Sequence, residues 1–144
     1  MKTEEHTESR SGDDINRVSE KAAGNSRMIQ FPTEKLKKHS LRIGSGMTPK
    51  GGETVYKTEG IPLIRSQNVL VDRLDLSDVA FIDQEQHCHM IGSKVLAGDV
   101  LLNITGASIG RSCVVPDFIV DANVNQHVCS IRLTDAIDSR FLSM

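Results

Sequence analysis

Four stretches of the 144-residue chain carry side chains whose types and spacing could do chemistry. Gly106-Ala107-Ser108-Ile109-Gly110 matches the G-x-S-x-G pattern of a serine nucleophile at a strand-to-helix turn. A β-branched stretch ended by Pro116 follows it, where the elbow needs a helix, and Asp117, Asp121 and His127 crowd too close to Ser108 for a hydrolase sheet to intervene. A tight glycine loop between strands is therefore the favoured reading over a hydrolase. His87-Cys88-His89, Cys113, His127 and Cys129 are soft metal ligands, but no pair has the C-x₂₋₄-C spacing of a structural zinc site. No metal is expected.

The third stretch, Gly44-Ser45-Gly46-Met47-Thr48-Pro49-Lys50-Gly51-Gly52, lacks the Gly-Lys-Ser/Thr of a phosphate-binding P-loop. It offers exposed amides, the Thr48 hydroxyl and the Lys50 ammonium, groups suited to a phosphate backbone. The fourth feature is a pair of polar runs, Arg65-Ser66-Gln67-Asn68 and Asn123-Val124-Asn125-Gln126. Arg, Asn and Gln are the side chains that contact guanine and adenine edges with two hydrogen bonds in a major groove, and they are also ordinary turn residues.

These stretches need elements to position them. Short apolar runs cut by Gly and Pro predict strands at residues 40–43, 62–65, 79–82, 99–105, 111–115 and 127–133. In residues 100–105, Val100, Leu102 and Ile104 share one face and Leu101, Asn103 and Thr105 the other. Asp83 is placed to cap a helix through residues 84–91, ending at Gly92, and Asp138 to cap one beginning at Ser139. Residues 1–27 are polar with isolated Ile15 and Val18, and are expected to be a disordered tail with at most a marginal helix at 14–23. Residues 28–144 are expected to form the one folded domain.

Composition excludes several classes. The formal charge of −2 rules out binding by bulk positive charge, and 3% aromatics without Trp argues against stacking of single-stranded bases. Along the chain, residues 34–73 carry eight basic and four acidic side chains, while residues 74–144 carry four and nine. A basic middle segment folded onto one face would suit a polyanion. No apolar run approaches the ~20 residues of a membrane span, and three cysteines in this context read as reduced thiols of a cytoplasmic protein.

Taken in order, the stretches resemble one family. Leu41-Arg42-Ile43-x-Ser45-Gly46-x-Thr48-Pro49, Gly60-Ile61-Pro62-Leu63-Ile64-Arg65-Ser66, Gly98-Asp99-Val100-Leu101-Leu102-x-x-Thr105-Gly106-Ala107-Ser108-Ile109-Gly110-Arg111 and Asn125-Gln126-x-Val128-Cys129-x-Ile131 look like a target-recognition domain of the DNA-specificity subunit of type I restriction-modification systems. The match runs from about Lys35 to Leu142, and departs from the family pattern at Leu63, Val124 and His127. It implies an α/β domain of the α+β type, with a twisted, mainly antiparallel sheet, a few short helices and no catalytic residues. It further implies recognition of double-stranded DNA and truncation before the family's conserved spacer helix. The implied partners are a modification subunit that uses S-adenosylmethionine, a restriction subunit that uses ATP and Mg, and a second specificity half-subunit. No cofactor belongs to the chain itself. Residues 105–111 are implied to be a structural loop. Candidate DNA contacts are Thr48, Lys50, Arg65, Ser66, Asn68, Arg111, Asn125 and Gln126. The alternatives are a protein-interaction fragment without DNA binding and, less favoured, a hydrolase using Ser108 or a His/Cys metal site.

Overall fold

In the computed structural model, which describes residues 31–144, the chain alternates short strands with one-turn helical segments. The expected tail at 1–27, the helix at 14–23 and the domain boundary at 27/28 lie outside the described residues. Residues Glu34–Met144 form one compact unit. Ten strands occur among the described residues: β1 (Ser40–Ser45), β2 (Ile61–Ile64), β3 (Val69–Leu70), β4 (Arg73–Leu74), β5 (Ala80–Ile82), β6 (Lys94–Val95), β7 (Val100–Asn103), β8 (Ser112–Val114), β9 (Ala122–Val124) and β10 (Val128–Leu133). Among the described residues two α-helices accompany them, α1 (Gln84–His89) and α2 (Ser139–Ser143).

The strands form two four-stranded sheets and a hairpin. The first sheet is antiparallel throughout, in the order β1-β10-β7-β8. The second has the order β5-β2-β9-β6 and contains one parallel pair, β2 with β9. Strands β3 and β4 make the hairpin. The class is α+β with antiparallel-rich sheets, as the sequence predicts.

Apolar burial explains the arrangement. Ile64, Val69, Val95, Leu101, Cys113, Val115, Val124 and Val128 meet in one core, drawn from both sheets and the hairpin. Leu63, the neighbour of Ile64 on β2, faces the other way into a second cluster with Ala80, Ile82 and Met90. Successive side chains of a strand point to opposite faces, so β2 is buried on both. Helix α1 begins as expected, with the Asp83 carboxylate accepting from the Gln86 amide at 2.9 Å, which holds that carboxyl below its usual range. It stops at His89, where the backbone tightens into a 3-10 turn through Ile91–Ser93. Asp138 caps α2 by accepting from the Arg140 amide at 2.7 Å.

The expected alternation of faces on β7 holds as far as the strand runs. Leu101 and Asn103 are buried on one face, Leu101 within the main core, while on the other Val100 is buried, Leu102 half-buried and Ile104 exposed. The strand ends at Asn103, short of Thr105, and the Asn103 side chain ties the neighbouring loops together: its Nδ2 donates to Ser66 O at 2.8 Å and Ser108 Oγ at 3.1 Å. Polar residues also fill the middle of β9. Asn123 is fully buried, with Oδ1 2.6 Å from His87 Nδ1 and Nδ2 donating to Met90 O and Ser93 Oγ, both at 2.9 Å. The sequence pattern groups Asn123 with exposed polar residues; here it is a core strut between β9 and α1.

Candidate nucleic-acid interface

Strands β1, β2, β7 and β9 finish at the same end of the sheets, where β10 begins. Their connections are tied together there by backbone bonds. Gly46 N donates to Val128 O (3.0 Å), Asn125 N to Ile64 O (3.0 Å) and Ile104 N to His127 O (3.0 Å). Gly46 has to be glycine: a Cβ there would lie 1.9 Å from the Val124 carbonyl oxygen, inside any contact distance. That close crossing delivers the 47–57 segment to the rim.

Two adjoining hollows open at this end. One, of about 500 Å³, is lined by Ser66, Gln67, Thr105–Ser108, Arg111 and His127. The other, of about 270 Å³, is lined by Thr48, Pro49, Gly52, Glu53, Tyr56, Arg65–Gln67 and Asn125–His127. Ser66, Gln67 and His127 belong to both, so the two form one polar cleft.

The structure brings six of the eight sequence candidates to this cleft. Thr48, Arg65, Ser66, Asn125 and Gln126 line the smaller hollow, Ser66 and Arg111 the larger. Thr48, Arg111 and Gln126 are exposed. Arg65 is held back. Its Nη2 donates to Asp78 O at 2.7 Å and lies 3.6 Å from the Asp78 carboxylate, while its guanidinium carbon sits 5.8 Å from the centre of the Tyr56 ring. Asn125 is half-buried, and its Oδ1 accepts from the His127 amide at 3.1 Å.

Two candidates stand apart. Lys50 is exposed on the turn beside the cleft and is not among its lining residues. Asn68 is a correction: it is 2% exposed, its Oδ1 accepts from Arg65 N at 2.9 Å and its Nδ2 donates to Asp75 O at 3.0 Å. Its amide closes a turn, so it has nothing left to offer a base.

The basic side chains of residues 34–73 do not gather on one face at the cleft. Lys35, Lys37 and Lys38 lie about the 3-10 segment leading into the start of β1, at the other end of that strand from the cleft. Lys57 pairs with Asp83 at 3.6 Å, and the Arg42 guanidinium donates to the Gly92 and Lys94 carbonyls. The positive charge near the cleft comes from Lys50, Arg65 and Arg111. Of these, Lys50 and Arg111 make no ion pair with any described residue.

The hydrolase and metal alternatives lose their geometry. Residues 106–110 form a turn between the antiparallel β7 and β8, with no helix after Ser108, and the Ser108 hydroxyl accepts from Asn103. The nearest imidazole in the cleft, His127, contacts Thr105 and Gln126 instead. Cys113 is buried in the main core and His87 against Asn123, and no group of three or more His, Cys, Asp or Glu side chains among the described residues is placed to hold a metal ion. Sequence reasoning missed Gln67, Thr105 and His127 as cleft residues. The position of His127, one residue after Asn125-Gln126, was the available signal.

No protein-family model matches the chain, and no curated protein matches it. Solved structures do. The HsdS subunit from Thermoanaerobacter tengcongensis matches with a TM-score of 0.59 and 15% identity, covering 90% of this chain and 34% of the other. A chain from a structure on complex assembly and conformational transition of the type I R-M system matches with a TM-score of 0.55 and 15% identity, over 89% of this chain and 31% of that one. The chain thus spans about a third of the length of these solved chains, and shares their fold over that third.

Proposed function

We propose that the chain is a DNA target-recognition domain of the type I specificity kind, which reads a double-stranded half-site and does no catalysis of its own. The observation that carries this is a coincidence. The fold matches an HsdS subunit over nine-tenths of the chain, and the polar runs singled out from the sequence converge on one cleft at one end of its sheets. In this reading Lys50 and Arg111 contact phosphates, and Thr48, Ser66, Asn125 and Gln126 supply groups to base edges. Arg65 orders the wall and joins in if Asp78 releases it.

The role extends by resemblance to guiding a modification subunit and a restriction subunit in the cytoplasm, with S-adenosylmethionine and ATP bound by those partners. Titration of labelled duplexes at several salt concentrations tests the reading. Log affinity falls against log salt with a slope of ~0.9 per neutralised phosphate. A flat salt response, or no binding at low salt to any member of a randomised duplex pool, refutes it. Affinity is expected to be modest, since one half-site reader lacks the avidity of two linked ones.

A second reading, a protein-interaction fragment, is favoured by one observation. Phe141 on α2 is 75% exposed, and beside α2 lies a groove of about 630 Å³ lined by Asp72, Val114–Asp117, Arg140, Ser143 and Met144. Co-elution with a modification subunit in the absence of DNA, together with no duplex binding, selects it over the first.

A further inference from the structure

His127 is held at four points. Its amide donates to Asn125 Oδ1 (3.1 Å) and its carbonyl accepts from Ile104 N (3.0 Å). Its ring Nδ1 lies 2.6 Å from Thr105 Oγ1, and its Nε2 lies 2.9 Å from Gln126 Nε2. Two loops, one before β8 and one before β10, therefore grip the same imidazole from both sides.

The chemistry of these contacts fixes the proton. A carboxamide nitrogen only donates, so His127 Nε2 is the acceptor of the Gln126 bond. The neutral ring then carries its hydrogen on Nδ1 and donates it to Thr105 Oγ1, leaving the Thr105 hydroxyl hydrogen free to turn into the cleft. Gln126 keeps Oε1 as an acceptor and its second Nε2–H as a donor. That is the pair an adenine edge requires, with N6 donating and N7 accepting. An unsupported amide has a broad, two-fold terminal torsion and presents this pair in either order.

We propose that His127 is a positioning residue for base reading, fixing the Gln126 amide in one donor–acceptor order so that the cleft prefers adenine at one position of the half-site. This deepens the DNA-recognition reading and rests on it. His127 itself touches no base in this scheme; it acts through Gln126.

Two measurements on the full chain test it. In amide-detected NMR, one Gln126 side-chain proton is shifted and slow to exchange in the unmodified protein, and His127→Phe, which keeps a ring but no nitrogens, returns it to the behaviour of a free amide. In selection from a randomised duplex pool, the unmodified chain enriches adenine at one position roughly tenfold. His127→Phe and Gln126→Ala lose that same position and keep the salt slope, the double variant loses no more, and His127→Gln, which restores an acceptor near Nε2, recovers it. A Gln126 amide that already exchanges freely in the unmodified protein overturns the proposal without reference to any variant's folding. So does an adenine preference that survives His127→Phe. A shifted amide in a chain that enriches no motif removes the base-reading role through failure of the DNA reading, with the hydrogen bond itself left standing.

Discussion

The two ends of the same strands treat polar groups in opposite ways. At the start of β7 and the finish of β10, Arg132 donates twice to the nearly buried Asp99 carboxylate, each bond 2.8 Å, and Asp99 also accepts from Leu96 N at 2.9 Å. At the start of β9, Asp121 lies 3.2 Å from Lys94 and 3.4 Å from His87. At the other end, Thr48, Arg111 and Gln126 are exposed around a cleft, and Arg111 has no carboxylate partner among the described residues. One end closes on itself; the other is left with donors and acceptors for something else. The difference separates residues that hold the fold from residues available to a ligand, since charged side chains occur at both ends.

Substitutions can break this contrast, and the largest effect is expected where the cleft end touches the core. Gly46→Ala forces a Cβ against the Val124 carbonyl and should lower unfolding stability by about 4 kcal/mol, read by urea denaturation. Next, Arg132→Ala strips the partner from buried Asp99, with an expected loss of roughly 3 kcal/mol, while the salt slope of duplex binding by the folded protein stays unchanged. A changed slope would mean that the closed end also meets DNA.

Cys113, fully buried midway between the ends, gives a pH test. Burial pushes its thiol up to about 11 from 9.0, with the charge of Asp72 adding to the effect. The unfolded thiol ionises first, so its contribution to stability is complete below about pH 9 and is lost as pH rises to about 11. Unfolding stability should drop by about 2 kcal/mol across that window, and Cys113→Ala should flatten the drop. The smallest effect on stability belongs to the open end. Arg111→Ala and Lys50→Ala should change it by less than about 0.5 kcal/mol. Each should reduce the salt slope of duplex binding by about 0.9 if it neutralises a phosphate. Stability losses there, with an unchanged slope, would erase the contrast.

Much of the fold was legible because alternation and caps are local signals. The six expected strands correspond to β1, β2, β5, β7, β8 and β10, and Asp83 and Asp138 cap the helices they were expected to cap. The four strands not foreseen, β3, β4, β6 and β9, have two or three residues each, too few for a period to show. In β9, Asn123 also disguises the strand, since a buried asparagine satisfied by α1 reads locally like a turn residue. Site residues were legible as types and not as roles. Asn68 and Asn125 have the same side chain in similar polar runs, yet one closes a turn in the interior and the other sits on the cleft. Asn68 is turned inward by its bonds to Arg65, Asp75 and Asp78, whereas Asn125 is placed by the pairing of β2 with β9, a contact between segments distant in sequence.

That long-range pairing bears on how the chain reaches its fold. Ser40 of β1 aligns with Leu133 of β10, and β2 runs parallel to β9, so neither four-stranded sheet can be completed until its most distant strand has arrived. Among the described strands, only the β3–β4 and β7–β8 pairs link neighbours in sequence. Chains with such high contact order fold in milliseconds to seconds rather than microseconds, because loop closure precedes most of the stabilising contacts. On the ribosome, β1 therefore waits unpaired for β10, and β2, once paired with β5, keeps one edge open until β9 is made. A nascent chain stalled before β9 should remain protease-sensitive and chaperone-bound, and acquire protection in a single step once β10 has cleared the exit tunnel.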